Sequence, residues 1–136
     1  HARTHPPSFS PLTMPSPELM MKISAVGQAG YAAQMGFAEN VFQPIYFEPG
    51  AGGGSEMNQW FSFAMFGGAL RDGAAAAKPT KKAVQASAIH WLSAAPVMAM
   101  QMKKGKMKKD ALAAMNMATI LGMGGALLHT ASKMDD

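Results

Sequence analysis

The sequence predicts an all-α protein: a membrane-embedded bundle of three to four short helices behind an extended, proline-rich N-terminal arm. Three observations carry this. Charged residues make up only 15% of the chain, against a usual figure of about 25%. Fourteen glycines and fourteen methionines stand among many alanines, with few β-branched residues, a mix that favours helix over sheet. Two long runs in the second half carry no formal charge at all. With 136 residues the chain is at most one compact domain, divided into an arm over 1–17 and a single helical domain over 18–136.

The arm holds Pro6, Pro7, Pro11, Pro15 and Pro17 among serines and threonines. It lacks backbone donors and is expected to run extended over a surface. The chain opens on His1 rather than Met, which fits a removed leader. Ser16-Pro17-Glu18 then reads as a helix start, with proline in the first turn and an acid near the positive end of the dipole.

The first helix is expected over about 18–42, ending before Gln43-Pro44. Its uncharged stretch, Ile23 to Ala38, has sixteen residues and rises only ~24 Å, so spanning and interfacial placements are equally open. Ala25, Ala29 and Ala33 form a small-residue stripe suited to a neighbouring helix. Residues 44–56, rich in proline and glycine, form a loop whose start is anchored by Ile45, Tyr46 and Phe47. The second apolar segment, within a helix over 57–77, carries Trp60, Phe61, Phe63 and Phe66 and then meets Arg71-Asp72. It reaches across a bilayer only if that pair sits near its end or against a partner.

The third helix, 83–102, has twenty uncharged residues, and the fourth, 111–132, has twenty-two. Each matches the ~20 residues a bilayer demands. Lysines flank both runs, and the turn from Lys103 to Lys109 holds five lysines in seven positions. The hairpin of 83–131 is thus predicted to sit in a membrane with this turn on the cytosol-equivalent side. In a four-span layout Lys78, Lys81 and Lys82 fall on the opposite side and argue against that topology. Ala114, Ala118, Gly122 and Ala126 make the best small-residue packing face in the chain.

Several chemistries are excluded or disfavoured. There is no cysteine, hence no disulfide, thiolate site or thiol nucleophile. The net charge of +4 comes from lysines that flank apolar segments, and Arg3 and Arg71 are the only arginines, which speaks against a nucleic-acid groove. Gly50, Gly52, Gly53 and Gly54 match no phosphate-binding pattern. No acid/base pair or nucleophile triad stands out, so the chain is read as a non-enzyme.

His90 is the leading candidate site residue, because an ionisable side chain within an uncharged helix is a site hypothesis by default. Neutral imidazole ligates metals, including chlorophyll magnesium and haem iron; the plainer role is a hydrogen bond to a neighbouring helix. His129 lies nearer a helix end. Gln28, Gln34, Gln85 and Asn116 either ligate a pigment or tie helices together, and the second is commoner. Pro96, inside the third helix, removes the hydrogen bond to Leu92 and bends the helix there. Met98 and Met102 share a face at a spacing that suits Cu(I), but methionine is plentiful throughout, and flexible apolar filler explains it better.

Segments such as Trp60-Phe61-Ser62-Phe63-Ala64-Met65-Phe66-Gly67-Gly68 and Ile120-Leu121-Gly122-Met123-Gly124-Gly125, with the arm and the small size, give the chain a further likeness. It resembles the small nuclear-encoded thylakoid accessory subunits around photosystem I in red-lineage algae and dinoflagellates. The paired Glu/Arg helix pattern of the chlorophyll antenna family is not present. The resemblance implies a structural subunit of a photosystem I–antenna complex in the plastid thylakoid membrane. Its partners would be larger membrane subunits and the lipid bilayer. Chlorophyll and carotenoid are the implied cofactors, with His90 the metal ligand and His129, Gln28 and Asn116 further pigment contacts. The alternatives are a structural subunit of a mitochondrial inner-membrane complex, and an independent small membrane protein binding copper or haem.

Overall fold

A computed structural model describes residues 15–52 and 54–135. The proline-rich arm lies outside the described residues except for Pro15, Ser16 and Pro17. The described chain is helical: α1 (Pro17–Phe37), α2 (Glu39–Tyr46), α3 (Gly54–Ala75), α4 (Lys81–Lys103) and α5 (Ala111–Ser132). The only β-type pairing among the described residues is an isolated antiparallel bridge between Phe47 and Met107.

The helix starts follow capping chemistry visible in the sequence. Ser16 Oγ accepts from the Leu19 amide at 3.3 Å, with Pro17 in the first turn. Thr80 Oγ1 accepts from Ala83 at 3.2 Å, and Asp110 Oδ1 accepts from Ala113 at 2.9 Å. Each cap satisfies one of the amides that a helix start leaves without an intrahelical partner. Because Thr80 caps α4, Lys81 and Lys82 fall inside the helix and not before it.

The first predicted helix is two. It breaks at Ala38 (φ −130°, ψ 34°), and α2 then runs through Pro44 to Tyr46. Pro44 has no amide for the Asn40 carbonyl, but a proline this close to a short helix's end removes little. At the C-cap the Phe47 amide closes the helix on the Gln43 carbonyl at 2.9 Å. The loop expected over 44–56 is correspondingly shorter. Tyr46 and Phe47 pack against the core, and Tyr46 donates to Gln34 Oε1 at 2.9 Å.

The four long helices run antiparallel in sequence order and form two intimate pairs, α1 with α3 and α4 with α5. Glycine lets the backbones approach in each. A Cβ at Gly36 of α1 would overlap Ser62 of α3, and one at Gly68 of α3 would overlap Gln28 of α1. In the second pair, a Cβ at Gly124 would lie 2.6 Å from Leu92 Cδ2. Met21, Val84, Ala88, Trp91, Ile120, Leu127 and Ala131 are buried in the core between the pairs.

The lysine-rich turn shares one end of the bundle with α2. The Glu48 amide donates to the Lys106 carbonyl and the Lys108 amide to the Tyr46 carbonyl, both at 3.0 Å. Lys108 Nζ donates to the Pro44 carbonyl at 2.5 Å. The α3–α4 turn, with Lys78, lies at the opposite end.

Among the described helices, α5 is the one long and apolar enough to cross a membrane by length and composition. The sequence pairs α4 with it on freedom from charge. Freedom from charge is not hydropathy, however: Gln85, Ser87, His90, Ser93, Pro96 and Gln101 dilute α4. The small-residue stripe on α5 also behaves differently from a packing face within the chain. Ala114, Ala118 and Gly122 are exposed, and the inward face is Ala113, Ile120, Gly124, Leu127 and Ala131. The larger inward residues fill the gap between the helices, and Gly124 supplies the one close approach.

Candidate functional site

Where α1, α3 and α4 meet, each contributes a pair of residues four apart: Ser24 and Gln28, Gly68 and Asp72, Ser87 and Trp91. Residues at this spacing share a helix face, so three such pairs converge as a two-layered junction. Ser24, Gln28, Asp72 and Ser87 are all fully buried.

Asp72 is the centre. Its Oδ2 accepts from Ser24 Oγ at 2.6 Å, Gln28 Nε2 at 2.6 Å and Ser87 Oγ at 2.5 Å. Its Oδ1 accepts from Arg71 Nε at 2.8 Å, and Arg71 Nη2 lies at the same distance. The Arg71 side chain is 41% exposed, so the guanidinium compensates the carboxylate from the rim while keeping its own access to the surroundings. Ser24 Oγ also accepts from Trp91 Nε1 at 2.7 Å and from Gln28 Nε2 at 3.0 Å, and it lies 2.9 Å from Ser87 Oγ. A buried carboxylate is tolerated only when paired and hydrogen-bonded in this way. Such donors to an ionised acceptor are also among the stronger hydrogen bonds.

Gln28 Oε1 is the exception. It is the buried side-chain polar atom without a hydrogen-bond partner among the described residues. It rests over Gly68, where a Cβ would overlap it. The same Cβ position is 3.3 Å from His90 Nε2. His90, on α4, is half-buried, and the end of its ring is turned toward α3.

The other predicted site residues do not gather here. Asn116 of α5 accepts a hydrogen bond from Tyr31 and donates to Met98 Sδ at 3.7 Å, tying α1, α4 and α5. Tyr31 in turn meets Trp91 edge-on, with centroids 5.9 Å apart. His129 is exposed beside an open cavity of about 340 Å³ that Ser16, Pro17 and Lys133 also line. Among the described residues no group of three or more His, Asp or Glu side chains is placed to hold a metal ion. Gln28 and Asn116 thus have their amide nitrogens engaged with protein groups.

Reading the sequence singled out Gln28, and Arg71-Asp72 as a pair needing a partner, but did not connect them. Ser24 and Ser87 carry no signal when each is taken alone. Their signal was the polar residue four before Gln28 and four before Trp91, which single-residue scanning passes over.

No protein-family model matches this chain, and no curated protein or solved structure matches it significantly. The functional reading therefore rests on the sequence and the geometry.

Proposed function

We propose that this protein is a non-catalytic, membrane-embedded structural subunit that packs against larger membrane proteins. One observation supports it above others: the bundle buries a polar cluster within its apolar core and turns large apolar side chains outward. Its fully buried residues include an aspartate, two serines and a glutamine, while every long helix turns large apolar side chains outward. Val26 on α1 is 73% exposed, Phe63 on α3 71%, Ile89 on α4 64% and Met115 on α5 64%. Phe37, at the end of α1, is 93% exposed.

A water-soluble bundle of this size would place those residues inside and the charges around them. In a bilayer the outer surface has hydrocarbon to meet, and polar groups are driven to satisfy one another within the bundle. Helix α5 has 22 residues and no formal charge, a rise of ~33 Å that suits a hydrocarbon core of ~30 Å. Asp72, near the end of α3, is held against α1 and α4 by Ser24, Gln28 and Ser87, which supports a place for this helix within the membrane.

The finer proposal comes from the resemblance to thylakoid accessory subunits. It sets the bundle in the periphery of a photosystem I–antenna assembly, with chlorophyll and carotenoid against its outward apolar faces. Carbonate extraction of the native membranes tests embedding: the protein should stay in the pellet, and its release would overturn the reading. A native gel tests the setting. Co-migration with a green band is expected, and a colourless complex of mitochondrial size would refute the photosynthetic assignment.

A further inference from the structure

We infer that His90 carries its proton on Nε2 and donates it to Gln28 Oε1, so that it closes the polar junction and does not serve as an axial metal ligand. The Gln28 side chain fixes the geometry. Both hydrogens of its amide nitrogen are used, one on Ser24 Oγ at 3.0 Å and one on Asp72 Oδ2 at 2.6 Å. Turning the amide over would set its oxygen against the carboxylate and forfeit both bonds. The orientation is therefore fixed by its partners, and Oε1 is committed to the space over Gly68.

A buried amide oxygen without a donor is costly, and native structures rarely leave one. The nearest atoms to the position that a Gly68 Cβ would take are those of the Gln28 amide and His90 Nε2. Glycine at this position leaves the space in which the two groups face each other. Rotation about the imidazole χ2, a broad torsion, brings an Nε2–H toward Oε1 without moving a helix. His90 then adds α4 to the layer that Gln28 and Gly68 already form between α1 and α3. Gln28 and Gly68 are positioning residues for the ring.

The consequence concerns ligation. A proton on Nε2 removes the lone pair at the unhindered end of the ring. The remaining acceptor, Nδ1, is crowded by the residue's own Cβ and suits a bulky macrocycle poorly. Pigment held by this protein then sits on its outward faces by other contacts.

The test uses the full chain in detergent micelles with ¹⁵N-labelled histidine. One imidazole N–H resonance protected from exchange with water is expected, with a nuclear Overhauser contact to the Gly68 α-protons. It should vanish in Gln28→Met, and His90→Phe assigns it. Absence of such a resonance in the folded wild type, a proton on Nδ1, or its persistence in Gln28→Met would overturn the inference. Should Gln28→Met not fold, the contact to Gly68 in the wild type still decides. Zinc protoporphyrin added to the micelles should leave the resonance unchanged, and its displacement by the porphyrin would restore His90 as a ligand. These readouts do not depend on bilayer embedding, so release by carbonate would overturn the proposed function and leave them standing.

Discussion

The two helix pairs are held together by different physics. The α4–α5 pair meets mainly through shape: Gly124 receives Leu92, Ile120, Leu127, Ala131 and Ala88 are buried beside them, and Asn116 donates to Met98 Sδ across the seam. The junction of α1 and α3 with α4 is built on a carboxylate that collects donors from three helices. An apolar seam tolerates small adjustments of register and angle. A buried carboxylate does not, because each donor has one place to go and losing any of them leaves a charged or polar group uncompensated. The polar junction therefore specifies how the pairs are assembled, and the apolar seam supplies contact area.

The largest effect is expected where that contrast is sharpest. Asp72→Ala should lower stability by about 3–5 kcal/mol, because it strands the donors of Ser24, Ser87 and Gln28 together with the Arg71 guanidinium. Thermal unfolding in micelles followed by circular dichroism measures this. A loss below ~1 kcal/mol would show that the junction is dispensable. Glycine substitutions compare the two regions directly. Gly68→Ala and Gly124→Ala each force a methyl into occupied space, at a typical cost of about 1–3 kcal/mol. Gly68→Ala should be the worse, since the Gln28 amide is held by two hydrogen bonds while Leu92 can change rotamer.

Ser87→Ala removes one donor to Asp72, and a loss of about 1–2 kcal/mol is expected on the same assay. The smallest effect belongs to the exposed stripe. Ala118 is exposed, and Ala118→Ile should leave the isolated protein within ~0.5 kcal/mol of wild type. If the stripe packs against a larger subunit, the same change should weaken co-migration on a native gel. Retention of full co-migration would remove the stripe from the assembly surface.

How far these features were legible varies from region to region. Ser16-Pro17 marks the start of α1 directly, since cap chemistry is local; the Thr80 cap, ahead of the uncharged run, carries α4 back over Lys81 and Lys82. The bounds of α5 follow from its cap and its lysine. The break at Ala38 was not legible, because no residue there is a helix breaker; the break goes with the entry of α2 and the contact between Gly36 and Ser62. His90 stood out as a lone ionisable side chain, but its partner lies on another helix. The small residues of α5 mark a face that stays largely exposed within the chain and so remains open to a partner helix. Periodicity names several faces of equal smallness, and only the facing helix chooses among them.

The sequence by itself determined the helical class, the start of α1, the lysine-rich turn and the charge-free run of α5. These are consequences of composition and of interactions within a few residues. Only the tertiary structure decided that Asp72 is the hub of the molecule, that the Gln28 amide oxygen is buried over Gly68, and that Gly124 rather than the Ala114–Ala126 stripe receives a neighbouring helix. Each of these joins residues dozens of positions apart. A hydrogen bond or a close approach between helices depends on which faces meet, and that is fixed by the packing of the whole bundle at once.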